Sequence, residues 1–236
     1  MNYQVVVVAA GKGSRMGAEC NKVLLPLKGV PVIIRTLRVF EQDPDCIGVV
    51  LVVKEAESRR FSRLVDGCRL RKVQLTAGGR ERQDSVYNGL MRIDGSGADI
   101  VLIHDGARPF IDQGVIRRTA KAAEQFGAAL AAVPVKDTVK RCDSEGYVTQ
   151  TLERSSLWAA QTPQAFRLSE IVEAYRSAAA AHVTATDDAS LMERIGRPVR
   201  TVMGSYRNIK LTTPEDMLLA ETILEEEEHH ANRSRI

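Results

Sequence analysis

The sequence predicts an α/β protein: a Rossmann-like, mostly parallel sheet with helices on both faces. Three observations carry that prediction. Continuous apolar runs at residues 5–8, 47–53, 100–103 and 128–133 read as strands buried on both faces, since a strand with one wet face would alternate. Helical spacings fall between these runs, and that alternation builds βαβ units. Small, charged or hydroxyl-bearing residues follow three of the strand candidates, at the carboxyl ends where parallel sheets hold ligands.

The first run opens into Ala9-Ala10-Gly11-Lys12-Gly13-Ser14-Arg15-Met16-Gly17, with Lys22 shortly after. Glycine and alanine leave the backbone bare, so its N–H groups can close around a phosphate chain. Arg15 and Lys22 add two cations to the same connection. A polyphosphate fits such a loop, which makes a nucleotide the first ligand to consider. A Walker loop fails on residues: Val6 stands where its first glycine belongs, and Gly13 where its Ser or Thr belongs. A dinucleotide fingerprint matches Gly11 and Gly13, but Met16 takes the place of its third glycine. That leaves a nicotinamide-type module as a weak reading. A plain structural turn explains the glycines and leaves the two cations without a reason.

Lys22 leads through Pro26 into a helix whose first turn carries Pro31 and whose buried face carries Ile33, Leu37 and Phe40. The run 47–53 is the second strand and 72–76 another candidate, ending at Gly78-Gly79. Val86, Leu90 and Ile93 mark a helix face, and 100–103 a strand that runs into His104-Asp105-Gly106-Ala107-Arg108-Pro109. A helix over 112–126 and a strand over 128–133 follow. Each feature alone has a bland explanation: a turn, a cap, a surface ion pair. Glycine loop, Gly78-Gly79 and Asp105–Arg108 at one sheet edge together predict a site.

Residues 135–153 break the pattern. Two extended stretches, 135–142 and 147–153, flank Asp143-Ser144-Glu145-Gly146, a hairpin turn signal. Neither stretch has a clean apolar face, and an isolated hairpin is marginal in water. This arm must rest on something else, and a second subunit is the natural partner. Helices over 169–181 and 187–195, a strand over 199–203 and a short strand over 208–211 come next. Thr213-Pro214-Glu215-Asp216 then starts a helix, with Thr213 as N-cap and Pro214 in its first position. Glutamates at 225–228 oppose the macrodipole at its far end, so the helix is expected to fray there. One domain over 1–225, with 135–153 as an inserted β-arm, and a disordered tail over 226–236 are expected. His229 and His230 read as part of that tail, not as a metal site.

The chain has 236 residues, 44% hydrophobic and 27% charged, enough for one sizeable core. Its net charge of +3 is too small to argue for nucleic acid or a membrane surface. Cys20, Cys46, Cys68 and Cys142 are scattered and read as reduced thiols, neither zinc ligands nor a disulfide frame. The first strand begins within a few residues of Met1, which leaves no room for a signal peptide, and no apolar run approaches a membrane span. A cytoplasmic protein is expected.

Several motifs, in order and at matching spacing, carry a family resemblance. They are Ala9-Ala10-Gly11-x-Gly13-x-Arg15-Met16, Lys22, Gly79-x-x-x-x-x-Ser85-Val86, His104-Asp105-x-Ala107-Arg108-Pro109, Lys136-Asp137-Thr138, Thr162-Pro163-Gln164 and Asn208-Ile209-Lys210. From the first strand to about Leu224 the chain resembles the 2-C-methyl-D-erythritol 4-phosphate cytidylyltransferases of the non-mevalonate isoprenoid route, members of the nucleotidyltransferase superfamily. The resemblance implies that Arg15, Lys22 and Lys210 act on the phosphates in the transition state. It implies CTP contacts from Ala9, Ala10, Gly11, Gly13, Gly79, Arg82 and Ser85. Asp105, Arg108, Thr138, Arg154 and Thr162 would hold the methylerythritol phosphate. Mg²⁺ would accompany CTP, with no metal ligand assigned, and a homodimer would form through 135–153. The chain departs at Gly106, where alanine is also common, and at Arg80, a variable place.

The chemistry suits these residue types. A phosphate oxygen of the acceptor attacks the α-phosphorus of CTP, and pyrophosphate leaves. That nucleophile is ionised at neutral pH and needs no general base, so the lack of a Ser/His/Asp motif is expected. Catalysis then rests on positioning and charge neutralisation. Two alternatives stand beside this reading: a ribitol 5-phosphate cytidylyltransferase, and a non-catalytic nucleotide-binding module. The second has no reason to keep Arg15, Lys22 and Lys210 together.

Overall fold

The computed structural model describes residues 1–11 and 21–233. Strand β1 (Tyr3–Val8) is followed by the short pair β2 (Pro26–Leu27) and β3 (Val30–Pro31), then by helix α1 (Val32–Gln42). Next come β4 (Cys46–Val53), α2 (Ser58–Gly67), β5 (Val73–Ala77) and α3 (Arg82–Leu90). Strand β6 (Ile100–Asp105) leads through α4 (Gln113–Phe126) to β7 (Ala128–Pro134). The hairpin β8 (Lys140–Cys142) and β9 (Val148–Thr151) precedes β10 (Trp158–Arg167). Helices α5 (Leu168–Ala180) and α6 (Asp188–Arg194), strand β11 (Arg200–Met203) and helix α7 (Pro214–Arg233) complete the chain.

The central sheet has seven strands in the order β11-β7-β10-β6-β1-β4-β5. All neighbours are parallel except β10, which runs antiparallel to β6 and β7. Side chains alternate across a strand, and β1 shows the consequence. Val5 and Val7 pack with Ile33, Leu37 and Phe40 of α1, Phe61 of α2 and Val115 and Ile116 of α4. Val6 packs on the opposite face with Val86 and Leu90 of α3, Ile171 and Tyr175 of α5 and Leu191 of α6. Both faces are dry here, so the run Val5–Val7 is apolar at every position.

Strand β10 has no counterpart among the expected elements; Pro163 sits in its middle and cannot donate to a ladder. Pairing with β7 holds at Trp158 to Ala160 and again from Gln164, with a register shift between them. The proline falls in that shift, where no ladder donor is required.

Two sequence expectations are corrected. Residues 208–211 form no strand; Asn208 N–H and Ile209 N–H close local turns, and Leu211 N–H reaches the Ala107 carbonyl at 2.9 Å. Asn208 is buried and donates its side-chain amide to the Thr162 carbonyl at 2.8 Å, a tie that replaces a ladder. The tail expected to be disordered from residue 226 continues α7 to Arg233. Its acids have cationic partners: Lys28 meets Glu225 and Glu228 at 3.7 and 3.1 Å, and Arg207 meets Glu226. The helix start is as expected, with Asp216 accepting from the N–H groups of Thr212 and Thr213 and donating its own to the Thr213 hydroxyl.

Helix α3 rests unusually close to the sheet. A Cβ at Gly89 would lie 2.5 Å from Val6 Cγ1 and 2.9 Å from Val52 Cγ2. Valine has little rotamer freedom with which to retreat. Gly89→Ala should therefore destabilise the protein by roughly 1–3 kcal/mol through overpacking, although alanine is the better helix former. Urea unfolding reads this directly. An unchanged or raised midpoint would mean that α3 can lift off the sheet without loss.

Candidate active site

The carboxyl ends of β1, β5 and β6 open into one cleft of about 830 Å³. Ala9, Ala10 and Gly11 line it after β1, Gly79, Arg82 and Ser85 after β5, and Asp105 at the end of β6. Lys22 and Lys210 reach it from the connections that precede α1 and α7.

Close backbone approach shapes one wall. A Cβ at Gly78 would lie 2.7 Å from Ala10 Cβ and 2.8 Å from Ser85 Oγ, so only glycine lets these loops touch. Ser85 secures the contact: its hydroxyl accepts from Gly79 N–H and donates to the Glu81 carbonyl, both at 3.0 Å. On the other side, buried Asn21 donates to the Ala9 carbonyl at 2.6 Å and to Glu57 at 2.9 Å. The same side chain accepts from Val23 N–H. It thus ties the exit of β1 to the turn that carries Lys22.

Asp105 is the electrostatic centre. Lys210 Nζ lies 2.8 Å from its Oδ2, Arg108 Nε 3.5 Å from the same oxygen, and Arg82 Nε 3.8 Å from Oδ1. Burial alone would raise the carboxyl pKa, but Lys210 and Arg82 outweigh it and hold the group well below the usual carboxylate range. Asp105 is therefore ionised. Three cations share one carboxylate, and Lys22 adds a fourth to the cleft, so the walls carry an excess of positive charge suited to a polyanion.

The guanidinium of Arg108 also donates to the Asn208 carbonyl at 2.7 Å, while its Nε is buried without a hydrogen-bond partner. Beneath this layer lies His104. Its Nε2 faces the Arg108 carbonyl at 3.2 Å and must donate, which leaves Nδ1 to accept from the Thr162 hydroxyl at 3.1 Å. Thr162 in turn accepts from Asp105 N–H at 3.0 Å. Burial lowers the His104 pKa to about 4, so the imidazole is neutral. It braces Asp105 from below and does not line the cleft.

Of the residues expected at the site, Ala9, Ala10, Gly11, Lys22, Gly79, Arg82, Ser85, Asp105 and Lys210 meet in the cleft. Arg108 stands behind Asp105, and Thr162 lies buried under it. Gly13 and Arg15 fall outside the described residues. Thr138 and Arg154 are exposed near the base of the β8–β9 arm, where Arg154 donates to the Lys136 carbonyl. Neither lines this chain's own cleft. Sequence reading missed Asn21 and Asp188, the buried partner of Arg82. An Asn before a lysine is an N-cap signal, and one is found here, capping the short 3₁₀ turn Lys22–Leu24. The role of Asp188 was hidden by distance in sequence. Among the described residues, no three His, Cys, Asp or Glu side chains gather as a metal cluster.

The chain matches a family model described as 2-C-methyl-D-erythritol 4-phosphate cytidylyltransferase over residues 3–226. A protein of that name from Geobacillus kaustophilus is 57% identical over 225 residues, covering 95% of this chain and 97% of the relative. One from Bacillus licheniformis is 49% identical over 231 residues, covering 98% and 99%. The crystal structure of 4-diphosphocytidyl-2C-methyl-D-erythritol synthase from Anaerococcus prevotii superposes with a TM-score of 0.84 at 29% identity, covering 95% of this chain and 96% of that one.

Neutral His104 makes stability depend on pH with a definite sign. Its pKa is about 4 folded against 6.5 as the ordinary value, so the unfolded chain takes up the proton first as pH falls. Stability should be unaffected by this group above pH 6.5 and should decline from there toward pH 4, by up to about 1.4 kcal/mol per pH unit for the single proton. Unfolding titrations of wild type and His104→Asn over that range should differ in slope, the wild type being steeper. Equal slopes would mean that the imidazole is not held neutral.

Proposed function

The chain belongs to the 2-C-methyl-D-erythritol 4-phosphate cytidylyltransferase family, and we propose that its cleft works by positioning and charge neutralisation, without a general base. The reaction transfers CMP from CTP to 2-C-methyl-D-erythritol 4-phosphate and releases pyrophosphate. One observation carries the mechanism: Lys22, Lys210 and Arg82 converge with ionised Asp105 on a cleft that the bare segment 9–11 and Gly79 also line. The bare segment 9–11 and Gly79 surround the nucleotide. Ser85 fixes that wall. Lys22 and Lys210 face the phosphates, where negative charge grows as the α-phosphorus is attacked. Asp105 keeps Lys210 in place before substrate arrives. It also accepts a hydroxyl of the acceptor, with Arg108 behind it as a further cation. The attacking phosphate oxygen is already ionised, and neutral His104 lies below the floor, so no proton needs to be removed.

Mg²⁺ commonly keeps several waters and is held by substrate phosphates with one or two carboxylates. Asp105 and Glu81 line the cleft and fit that modest demand. When bound, the ion supplies further neutralisation of the triphosphate.

The arm supports a dimer in which each site is completed by its partner. Strands β8 and β9 are exposed along their whole length, with Tyr147 and Val148 69% and 59% exposed. Thr138 and Arg154, implied as acceptor contacts, then belong to the neighbouring cleft. A cytoplasmic setting accords with the free thiols of Cys46, Cys68 and Cys142, and no described helix is long and apolar enough to cross a membrane.

Pyrophosphate release with each of the four nucleoside triphosphates against methylerythritol phosphate and ribitol phosphate tests the reaction. Turnover should require CTP and methylerythritol phosphate, and Lys22→Ala should lower it by at least ~10²-fold in a folded protein, as for one lost preorganised contact. Comparable turnover with ribitol phosphate would overturn the acceptor assignment, and near-normal turnover in the variant the role of Lys22. The shared site has its own test. Lys22→Ala and Arg154→Ala proteins, each inactive alone, should recover activity when mixed, to about half of wild type per hetero-dimer, because one site carries both defects and the other neither. Demonstrated subunit exchange without recovery would mean that each site is built from one chain.

A further inference from the structure

Arg82 lines the cleft, yet its hydrogen bonds point away from it. Its two terminal nitrogens donate to the two oxygens of Asp188 at 2.9 and 2.6 Å. Asp188 is fully buried, and its Oδ1 also accepts the Tyr175 hydroxyl at 2.5 Å. Tyr175 is itself buried and stacks on Tyr87 with ring centroids 6.0 Å apart. Asp188 begins α6, where an acid could serve the helix end alone. Asp187 already does that, accepting from Ser190 N–H at 3.1 Å. The oxygens of Asp188 are given to Arg82 and Tyr175 instead.

A guanidinium bound at both tips by one carboxylate cannot rotate freely. Its remaining edge, with Nε 3.8 Å from Asp105 Oδ1, is the part that meets the cleft. Asp105 is the other anion within reach, and Lys210 already holds it. Without Asp188, Arg82 would be drawn onto Asp105 and compete with Lys210 there.

We propose that Asp188, braced by Tyr175, is a positioning residue for nucleotide binding: it holds Arg82 at the cleft wall and stops it closing on Asp105 beyond the 3.8 Å contact. The proposal rests on the cytidylyltransferase reading above, and it adds a pair of buried residues that never touch substrate. Asp188→Asn removes the charge and turns an amide N–H₂ toward the guanidinium, so the fork opens.

Steady-state kinetics on the full-length protein provide the test. In Asp188→Asn, KM for CTP should rise about 10-fold, as for one lost charge-assisted hydrogen bond, while kcat stays within about two-fold. A merely structural role would lower the active fraction, and so kcat, and leave KM alone. Added to Arg82→Ala, the change should raise KM no further, since both act through one guanidinium. An unchanged KM in folded Asp188→Asn, or independent effects in the double variant, would overturn the proposal. Should Asp188→Asn fail to fold, Tyr175→Phe removes only the bracing hydroxyl and should raise KM about 3-fold; no rise there is equally fatal. Wild type serves as the control for the underlying reading. If it releases no pyrophosphate but binds CTP by calorimetry, the reaction assignment fails and the clamp is judged by the same fold-changes in affinity. If it does not bind CTP, both fall.

Discussion

A buried carboxylate surrounded by cations is the constraint on which the site depends. Isolating an ionised Asp105 from water costs several kcal/mol, so it persists only where partners offset that cost. Lys210, Arg108 and Arg82 do so, and they come from the segment before α7, the loop after β6 and the start of α3. One charge therefore fixes three distant pieces of chain relative to each other. The same arrangement leaves more cations than anions facing the cleft. An anionic ligand completes the charge balance that Asp105 begins.

Strand β10 makes that arrangement possible. Inserted antiparallel between β6 and β7, it places Thr162 under Asp105 and Gln161 against the Ser205 carbonyl and Asn208. Asn208 then carries the Arg108 guanidinium and stands two residues before Lys210. The path from the sheet to Lys210 is a chain of hydrogen bonds through buried side chains. A segment without secondary structure can hold a residue in place when its polar groups are satisfied this way.

The parallel half of the sheet was legible because its strands are dry on both faces, and the runs at 47–53 and 100–103 match β4 and β6 closely. The glycine loop, Gly79 and Asp105–Arg108 were legible as a site because parallel strands deliver their carboxyl ends to one edge. Local rules failed where tertiary partners decide. Strand β10 carries Pro163 in its middle, which its irregular register accommodates. Four glutamates suggested a frayed helix, but Lys28 and Arg207 lie far away in sequence and close in space. Asp188 carried no signal in the sequence, because its partner is 106 residues away. Pairings of that kind leave no periodicity to detect.

The cleft also accords with the proposed reading that no group need transfer a proton. The buried His104 is neutral, donates to a backbone carbonyl and accepts from a hydroxyl, so both ring nitrogens are occupied in support. The groups at and behind the cleft wall are instead held by other parts of the chain: Arg82 by Asp188, Arg108 by the Asn208 carbonyl, Ser85 by Glu81, and the exit of β1 by Asn21. Such groups need little reorganisation as charge develops, which is where preorganised electrostatics gains over water. For a reaction that brings one anion onto another, the work of catalysis is then done largely when the chain folds.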